Sequence, residues 1–221
     1  MQTSDVFGNF AAVRNSVIRN TYWLLALTMI PTVFGAYLGV TLGLPAISGL
    51  GWFVVFGILI GFIIAINALK NSAAGIPVLL LFTFFMGALL TPLLVHTLAF
   101  SNGALLIMLA AGGTGAIFAV LATFATVTKR DFSGMGTWLF IALLVLVGAG
   151  LLNIFLQLPL LTLACSAVAV LVFSAYILYD VQQIVNGGET SYIAATLNLY
   201  LDVLNIFSGL LNLLGAGFGD D

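Results

Sequence analysis

Two aspartates, Asp180 and Asp202, lie within stretches of sequence that are otherwise apolar. An ionised aspartate at the centre of a bilayer costs about 2.5–3.5 kcal/mol on insertion scales, so carboxylates at such positions are candidates for function. Two carboxylates that meet at low dielectric do not ionise together easily, and we expect such a pair to share one proton. The protonated pair would join two helices, whereas the deprotonated pair would repel and offer oxygen ligands to a hard cation such as Ca²⁺.

A polar stripe accompanies Asp202 along the sequence. Asn198, Asp202, Asn205, Gly209 and Asn212 are spaced by 4, 3, 4 and 3 residues, which places them on one face of a helix. Because such a face cannot be directed to lipid, we expect this helix to be central and enclosed by the others. The asparagines either line a cavity and add amide oxygens to a cation site, or form hydrogen bonds between helices without any solute.

Contact between the two aspartates is an assumption at this point. Counted from the connection between their helices, Asp180 lies about 10 Å and Asp202 about 18 Å along the helix axis at ~1.5 Å per residue. Helix tilt, or a connection at 187–191 that dips into the protein, would close the remaining gap of roughly 8 Å.

The composition is that of a membrane protein. Of the 221 residues, 62% are hydrophobic and 5% are charged, and the mean hydropathy is +1.26, whereas soluble domains carry about 25% charged residues. The lipid bilayer is therefore the expected partner. Only five residues are basic, so no cationic surface exists for nucleic acid, which we exclude as a partner.

Apolar runs separated by Pro, Gly and charged residues predict seven membrane-spanning helices, numbered spans 1 to 7. Pro31 in span 1 and Pro92 in span 3 should kink their helices, because proline lacks a backbone donor. The predicted fold is an all-α integral membrane protein with a tail at 1–20, a seven-helix domain at 21–215 and a short tail at 216–221. The spans are expected at 21–43, 47–69, 76–98, 104–127, 135–157, 160–181 and 192–215.

The basic residues predict the orientation. Arg14 and Arg19 precede span 1, Lys70 follows span 2, and Lys129 and Arg130 follow span 4. Seven crossings from a cytoplasmic N-terminus place all five in the cytoplasm, in agreement with the positive-inside rule. Six crossings with a re-entrant last segment are the alternative, because span 7 is the most polar.

Small residues recur at every fourth position in three spans and predict close helix packing. Glycine hinges that move during gating are the alternative to tight packing. The three stripes are Gly35, Gly39 and Gly43 in span 1, Gly57, Gly61 and Ala65 in span 2, and Gly115, Ala119 and Thr123 in span 4.

Several motifs near the two aspartates resemble those of the Bax inhibitor-1 family of membrane proteins. They are Ile-Leu-Tyr-Asp at 177–180, Gly-Gly-Glu-Thr-Ser-Tyr-Ile at 187–193 and Leu-Asn-Leu-Tyr-Leu-Asp at 197–202. Asn-Ile-Phe-Leu-Gln-Leu-Pro at 153–159 and Arg-Asn-Thr-Tyr at 19–22 are similar to its bacterial, YccA-like branch. The resemblance spans nearly the whole chain.

The resemblance implies seven helices with span 7 at the centre, and a pH-dependent calcium leak sensed by Asp180 and Asp202. In some relatives an arginine in span 2 pairs with the first aspartate; span 2 has no arginine here, and Lys70 is the nearest basic residue. The YccA-like branch also includes modulators of the membrane-anchored AAA protease FtsH, which engages a cytoplasmic N-terminal tail. Residues 1–20 are the candidate tail, although their composition also fits an ordinary disordered terminus.

An enzyme is the rival interpretation, because intramembrane aspartyl proteases also carry paired aspartates and Tyr179-Asp180 is similar to their first motif. A match to the second motif occurs only at 217–220, beyond the last span. We therefore predict a protein of the bacterial inner membrane that is not an enzyme, with no tightly bound cofactor and with Ca²⁺ as a transported or transiently bound ion. His96, at the outer end of span 3, is either a second pH sensor or an interfacial polar residue.

Overall fold

The computed structural model describes residues 2–44, 51–128 and 130–220, with side chains of the first helix from Asn15 onward. Three parts of the chain that the predictions used lie outside the described residues. They are the connection at 45–50, which contains Pro45, the residue Lys129, and the side chain of Arg14. Within the described ranges the chain is helical and contains no strand. The helices are α1 (Gln2–Thr41), α2 (Gly51–Leu69), α3 (Gly75–Leu89), α4 (Thr91–Leu98), α5 (Gly103–Val127), α6 (Gly136–Leu156, after a 3₁₀ turn at Ser133–Met135), α7 (Pro159–Val185) and α8 (Tyr192–Phe218).

Seven stretches are long and apolar enough to cross a membrane, which confirms the predicted fold class. Most of their ends lie within a few residues of the predicted ones. The main differences are at α1, whose helix begins at Gln2 within the predicted tail, and at α7, which continues to Val185. The side on which the N-terminus lies stays a prediction.

The third span is divided into α3 and α4 at Leu90, as Pro92 predicts. Pro92 has no N–H to donate to the carbonyl oxygen of Ala88. The Thr91 hydroxyl donates to that oxygen instead, at 2.7 Å. By contrast, α1 runs through Pro31 without a break.

The first of two compact units contains α1, α2, α3 and residues Ile184–Tyr200. In it α3 packs against both α1 and α2. A Cβ on Gly35 would overlap the backbone oxygen of Phe84, and a Cβ on Gly87 would overlap that of Thr32. The backbones of α1 and α3 therefore approach each other closely at these two glycines.

The span 1 stripe is confirmed as a packing face at two of its glycines. Gly35 lies against Phe84 as described, and a Cβ on Gly39 would overlap the Thr91 hydroxyl. Gly43 has a φ of +63° and ends α1, with Leu44 N donating to Gly39 O at 3.0 Å. The other two stripes are wrong as packing faces: among described residues, nothing lies within 4 Å of a Cβ built on Gly57, Gly61 or Gly115. Glycine is frequent in membrane helices, so its spacing alone does not identify a contact.

The second unit contains Leu93–Gln183 and the chain from Leu201 onward. The last span, α8, thus contributes to both units. It is also the most enclosed span: 39% of its most apolar window is buried, against 6–33% for the other six. The central position of span 7 stays a prediction.

Candidate functional site

The structure brings Asp180 and Asp202 together within the second unit. Asp180 is half-buried on α7, and Asp202 on α8 is only 4% exposed. Their carboxyl groups form a side-chain hydrogen bond. The Oδ2 atom of Asp202 is buried without a hydrogen-bond partner. The candidate site is therefore a buried carboxyl pair with one unsatisfied oxygen.

Local sequence explains how α7 and α8 can hold this pair. Beyond the end of α7, Gly187 takes a φ of +77°, a left-handed conformation that glycine adopts without strain. Further along the helices, a Cβ on Gly209 of α8 would lie 3.0 Å from the backbone oxygen of Ser166 on α7. The absence of a side chain at Gly209 thus lets the two helices pack closely, one end of α7 against the far half of α8.

The connection into α8 is ordered by its own side chains. Ser191 N donates to Glu189 Oε1 at 2.8 Å, and Ser191 Oγ donates to the backbone oxygen of Lys70 at 2.7 Å. The start of α8 is thereby attached to the residue that follows α2. Lys70 itself is half-buried, and its predicted role as the basic partner of Asp180 stays a prediction.

The chemistry of the pair follows from its hydrogen bond. An ionised carboxylate only accepts hydrogen bonds, so two carboxyl groups can bond to each other only when one carries a proton. Tyr176, one turn before Asp180 on α7, lies within electrostatic range of both carboxyl groups. The arrangement can hold and release a proton at a junction of two helices.

A cation at this position would need further oxygen ligands. Nowhere in the described part of the chain do three or more His, Cys, Asp or Glu side chains cluster in a way that could hold a metal ion. Two carboxylates form an incomplete shell for Ca²⁺, which takes roughly six to eight oxygens. This donor set is compatible with a cation that passes through and keeps part of its water.

The polar stripe of α8 is only partly enclosed. Asn205 and Asn212 are half-buried, but Asn198 is exposed, so the expectation of an enclosed stripe is wrong at that residue. Asn198 is exposed although its chain neighbours Leu197 and Leu199 are 2% and 0% exposed, so it lies on the one open side of an otherwise buried stretch of α8. Asn205 Nδ2 donates to Leu201 O at 2.8 Å within its own helix, rather than to a neighbouring helix.

Two residues of structural importance were missed by sequence analysis. The buried hydroxyl of Tyr200 on α8 lies 2.9 Å from Thr32 Oγ1 on α1. Gln182 on α7 is 5% exposed, and its amide bonds to the backbone of Arg130 and Phe132. Both are polar residues within apolar helices, and each lies two residues from one of the two aspartates. A polar residue so close to a membrane aspartate could have indicated its importance from the sequence.

Comparison with known proteins identifies the family. The profile of the family described as "Inhibitor of apoptosis-promoting Bax1" (Bax1-I) matches residues 14–219. The chain belongs to this family. The resemblance seen in its motifs to Bax inhibitor-1 proteins and their YccA-like branch is thereby confirmed, and it covers all seven spans.

Relatives of this Bax1-I protein match over most of their length. An uncharacterized protein of Campylobacter jejuni is 42% identical, over 89% of this chain and 87% of its own. An uncharacterized membrane protein of Vibrio cholerae is 39% identical, over 94% and 92%. "Modulator of FtsH protease YccA" of Escherichia coli K12 is 37% identical, over 93% and 92%. The E. coli O6:H1 relative is named an inner membrane protein, which agrees with the seven spans and with the predicted location.

Proposed function

We propose that this Bax1-I protein is a pH-sensitive cation leak of the membrane, in which Asp180 and Asp202 form the gate and Ca²⁺ is the transported ion. The observation that carries the proposal is the buried, hydrogen-bonded carboxyl pair with an unsatisfied Asp202 Oδ2. Such a pair is costly in a membrane helix, which supports a functional rather than a structural role.

The proton controls the contact between α7 and α8. With one proton present, the pair donates and accepts a hydrogen bond and joins the two helices. Without it, two like charges face each other at low dielectric, where their repulsion is far stronger than in water. The helices then separate at the pair, and the carboxylate oxygens, with water and amide oxygens such as that of Asn205, become ligands for a passing cation. We expect flux to rise as the pair loses its proton.

Calcium entry into proteoliposomes, followed with a trapped indicator from pH 5 to 8, tests this gate. We expect a pH-dependent flux in the wild type, no pH dependence in Asp202→Asn, and a persistently low flux in Asp180→Asn, which imitates the protonated state. Asp220→Asn is the matched control, because Asp220 is exposed and lies beyond the last span. Unchanged pH profiles in both pair variants, or no flux from folded wild-type protein at any pH, would overturn the proposal.

A second function, modulation of an FtsH-type membrane AAA protease, is supported by a different observation. The E. coli K12 relative is named a modulator of FtsH protease. In this chain α1 begins at Gln2, ahead of the first span predicted at 21–43, so the helix includes the candidate tail. We propose this tail as the segment that the protease engages.

Deletion of residues 2–14 separates the two functions. Degradation of a reporter substrate by the reconstituted protease is measured with the full chain and with the shortened chain. We expect the full chain to slow degradation and the shortened chain to lose this effect, with calcium flux the same in both. A shortened chain that slows degradation as well as the full chain would overturn the proposed engagement.

A further inference from the structure

Gln182 lies two residues after Asp180, near the end of α7. Its Nε2 donates to the backbone oxygen of Arg130, and its Oε1 accepts from the backbone N–H of Phe132. A glutamine amide has an acceptor and a donor group side by side, and here they bond to a backbone N–H and a backbone C=O of residues two apart. Both ends of a buried amide are therefore used by one short stretch of backbone.

That stretch is the connection between α5 and α6, and it is ordered by further local bonds. Arg130 N donates to Thr128 Oγ1 at 3.2 Å, and Asp131 Oδ1 accepts from Ser133 N at 2.9 Å. The Phe132 ring lies 6.3 Å from that of Phe124 on α5. The residues from Arg130 to Ser133 thus form a locally bonded segment to which α7 is attached.

A second contact joins the same connection to α7 on the other side of Asp180. A Cβ on Gly136, where α6 begins, would come within 2.8 Å of the Tyr179 hydroxyl. Tyr179 and Gln182 therefore flank Asp180 and both contact the segment that leads into α6. Movement of α7 at Asp180 must break these contacts or carry the connection with it.

We propose that Gln182 is a positioning residue of the aspartate pair: its two backbone hydrogen bonds hold α7 in the register at which Asp180 reaches Asp202. This inference rests on the proposed function of the pair as a gate. Gln182 acts through α7 and does not contact a transported ion. Losing its bonds lowers the cost of separating the carboxyl groups, and so favours the separated, deprotonated state.

Charge changes can be kept out of the test. Among the described residues, the titratable and charged groups of the connection and of α7 near the pair are Tyr176, Tyr179, Arg130 and Asp131, in addition to the two aspartates. Gln182→Met removes both hydrogen bonds, keeps a side chain of similar length and changes none of these charges. Gln182→Asn keeps an amide that is too short to reach both backbone groups. Gln183→Met, at the half-buried neighbouring position, is the matched control.

The first measurement is hydrogen exchange of the Phe132 amide in the full-length protein. We expect exchange to be about tenfold faster in Gln182→Met and Gln182→Asn, because the amide loses its acceptor, and unchanged in Gln183→Met. Equal protection in the wild type and both Gln182 variants would overturn the inference.

The second measurement is the infrared band of the protonated carboxyl pair, identified by its loss in Asp202→Asn and followed as a function of pH. We expect its midpoint to move to lower pH by about half a unit in the Gln182 variants and to stay in place in Gln183→Met. Faster exchange with an unmoved midpoint would overturn the positioning role. Calcium flux is recorded in a separate experiment. If the wild-type protein shows no flux, the proposed leak is rejected, but the infrared midpoint still tests the role of Gln182.

Discussion

The hydroxyl of Tyr200 on α8 lies 2.9 Å from the Thr32 hydroxyl on α1 and 3.3 Å from the backbone oxygen of Thr83 on α3. All three residues are buried in the first unit. The phenol has a single proton, which it donates either to Thr83 O or to Thr32 Oγ1; when it donates to Thr83 O, the Thr32 hydroxyl, which otherwise donates to Thr28 O at 2.8 Å, can donate to the phenol oxygen. One phenol thus connects three helices, two residues before Asp202.

Replacing Tyr200 with phenylalanine should destabilise the first unit modestly. The ring and its edge contact with Phe82, at 6.1 Å between centroids, stay in place, while the bonds to α1 and α3 are lost. Hydrogen bonds between membrane helices contribute about 0.6 kcal/mol on average and at most about 1.7. We expect a lower melting temperature by thermal unfolding in detergent. Tyr37→Phe, at a 62% exposed position of α1, is the control; equal melting of the two variants would contradict this account.

The spans could be predicted because the requirement for apolar residues is local to each helix. The hydrogen-bond partners of individual side chains could not be predicted, because they depend on how helices that are far apart in sequence align with each other. Tyr200 bonds to a residue 168 positions away and Gln182 to backbone groups 50 and 52 positions away. The contact of Asp180 with Asp202 belongs to the same class: residue counts left a gap of roughly 8 Å, which only the packing of α7 against α8 could close.

Gly87→Ala should be much more damaging than Gly57→Ala, although both are glycine-to-alanine changes inside apolar helices. A Cβ on Gly87 would overlap the Thr32 backbone oxygen and lie 2.9 Å from the Thr32 Cα, so α1 and α3 must move apart. Overpacking of this kind costs about 1–3 kcal/mol. At Gly57 nothing lies within 4 Å of the added atom, and alanine is the better helix former. Melting temperatures of the two variants check this difference; a Gly87→Ala protein as stable as the wild type would refute the close approach.

The end of the chain should be released by Asn102→Ala. Asn102 Nδ2 donates to Phe218 O at 2.6 Å, and its Oδ1 accepts from Asp220 N at 3.4 Å. Ser101 N adds a backbone bond to Asp220 O at 2.9 Å. Loss of the Asn102 bonds, at roughly 1 kcal/mol, should speed exchange of the Asp220 amide about fivefold. Ser101→Ala keeps its backbone bond and should leave that exchange rate unchanged; equal rates in both variants would argue against the attachment.

Asp131 should titrate below the range of an ordinary aspartate. A hydrogen bond from Ser133 Oγ at 2.5 Å, and then one from Ser133 N at 2.9 Å, hold the pKa of Asp131 below its ordinary value of 3.8. Because the folded-state pKa is the lower one, this contribution to stability is present above pH 3.8 and is lost as the pH falls through the folded-state value.

Ser133→Ala should move the Asp131 pKa upward toward 3.8, because it removes the larger of the two causes and keeps the backbone bond. The carboxyl carbon chemical shift of Asp131, followed by NMR from pH 2 to 6, measures this change. Ser72→Ala, an exposed serine in another connection, should leave the titration as in the wild type. If Ser133→Ala and the wild type titrate together, the serine does not set the charge state of this connection, and the order of the segment attached to Gln182 must come from other bonds.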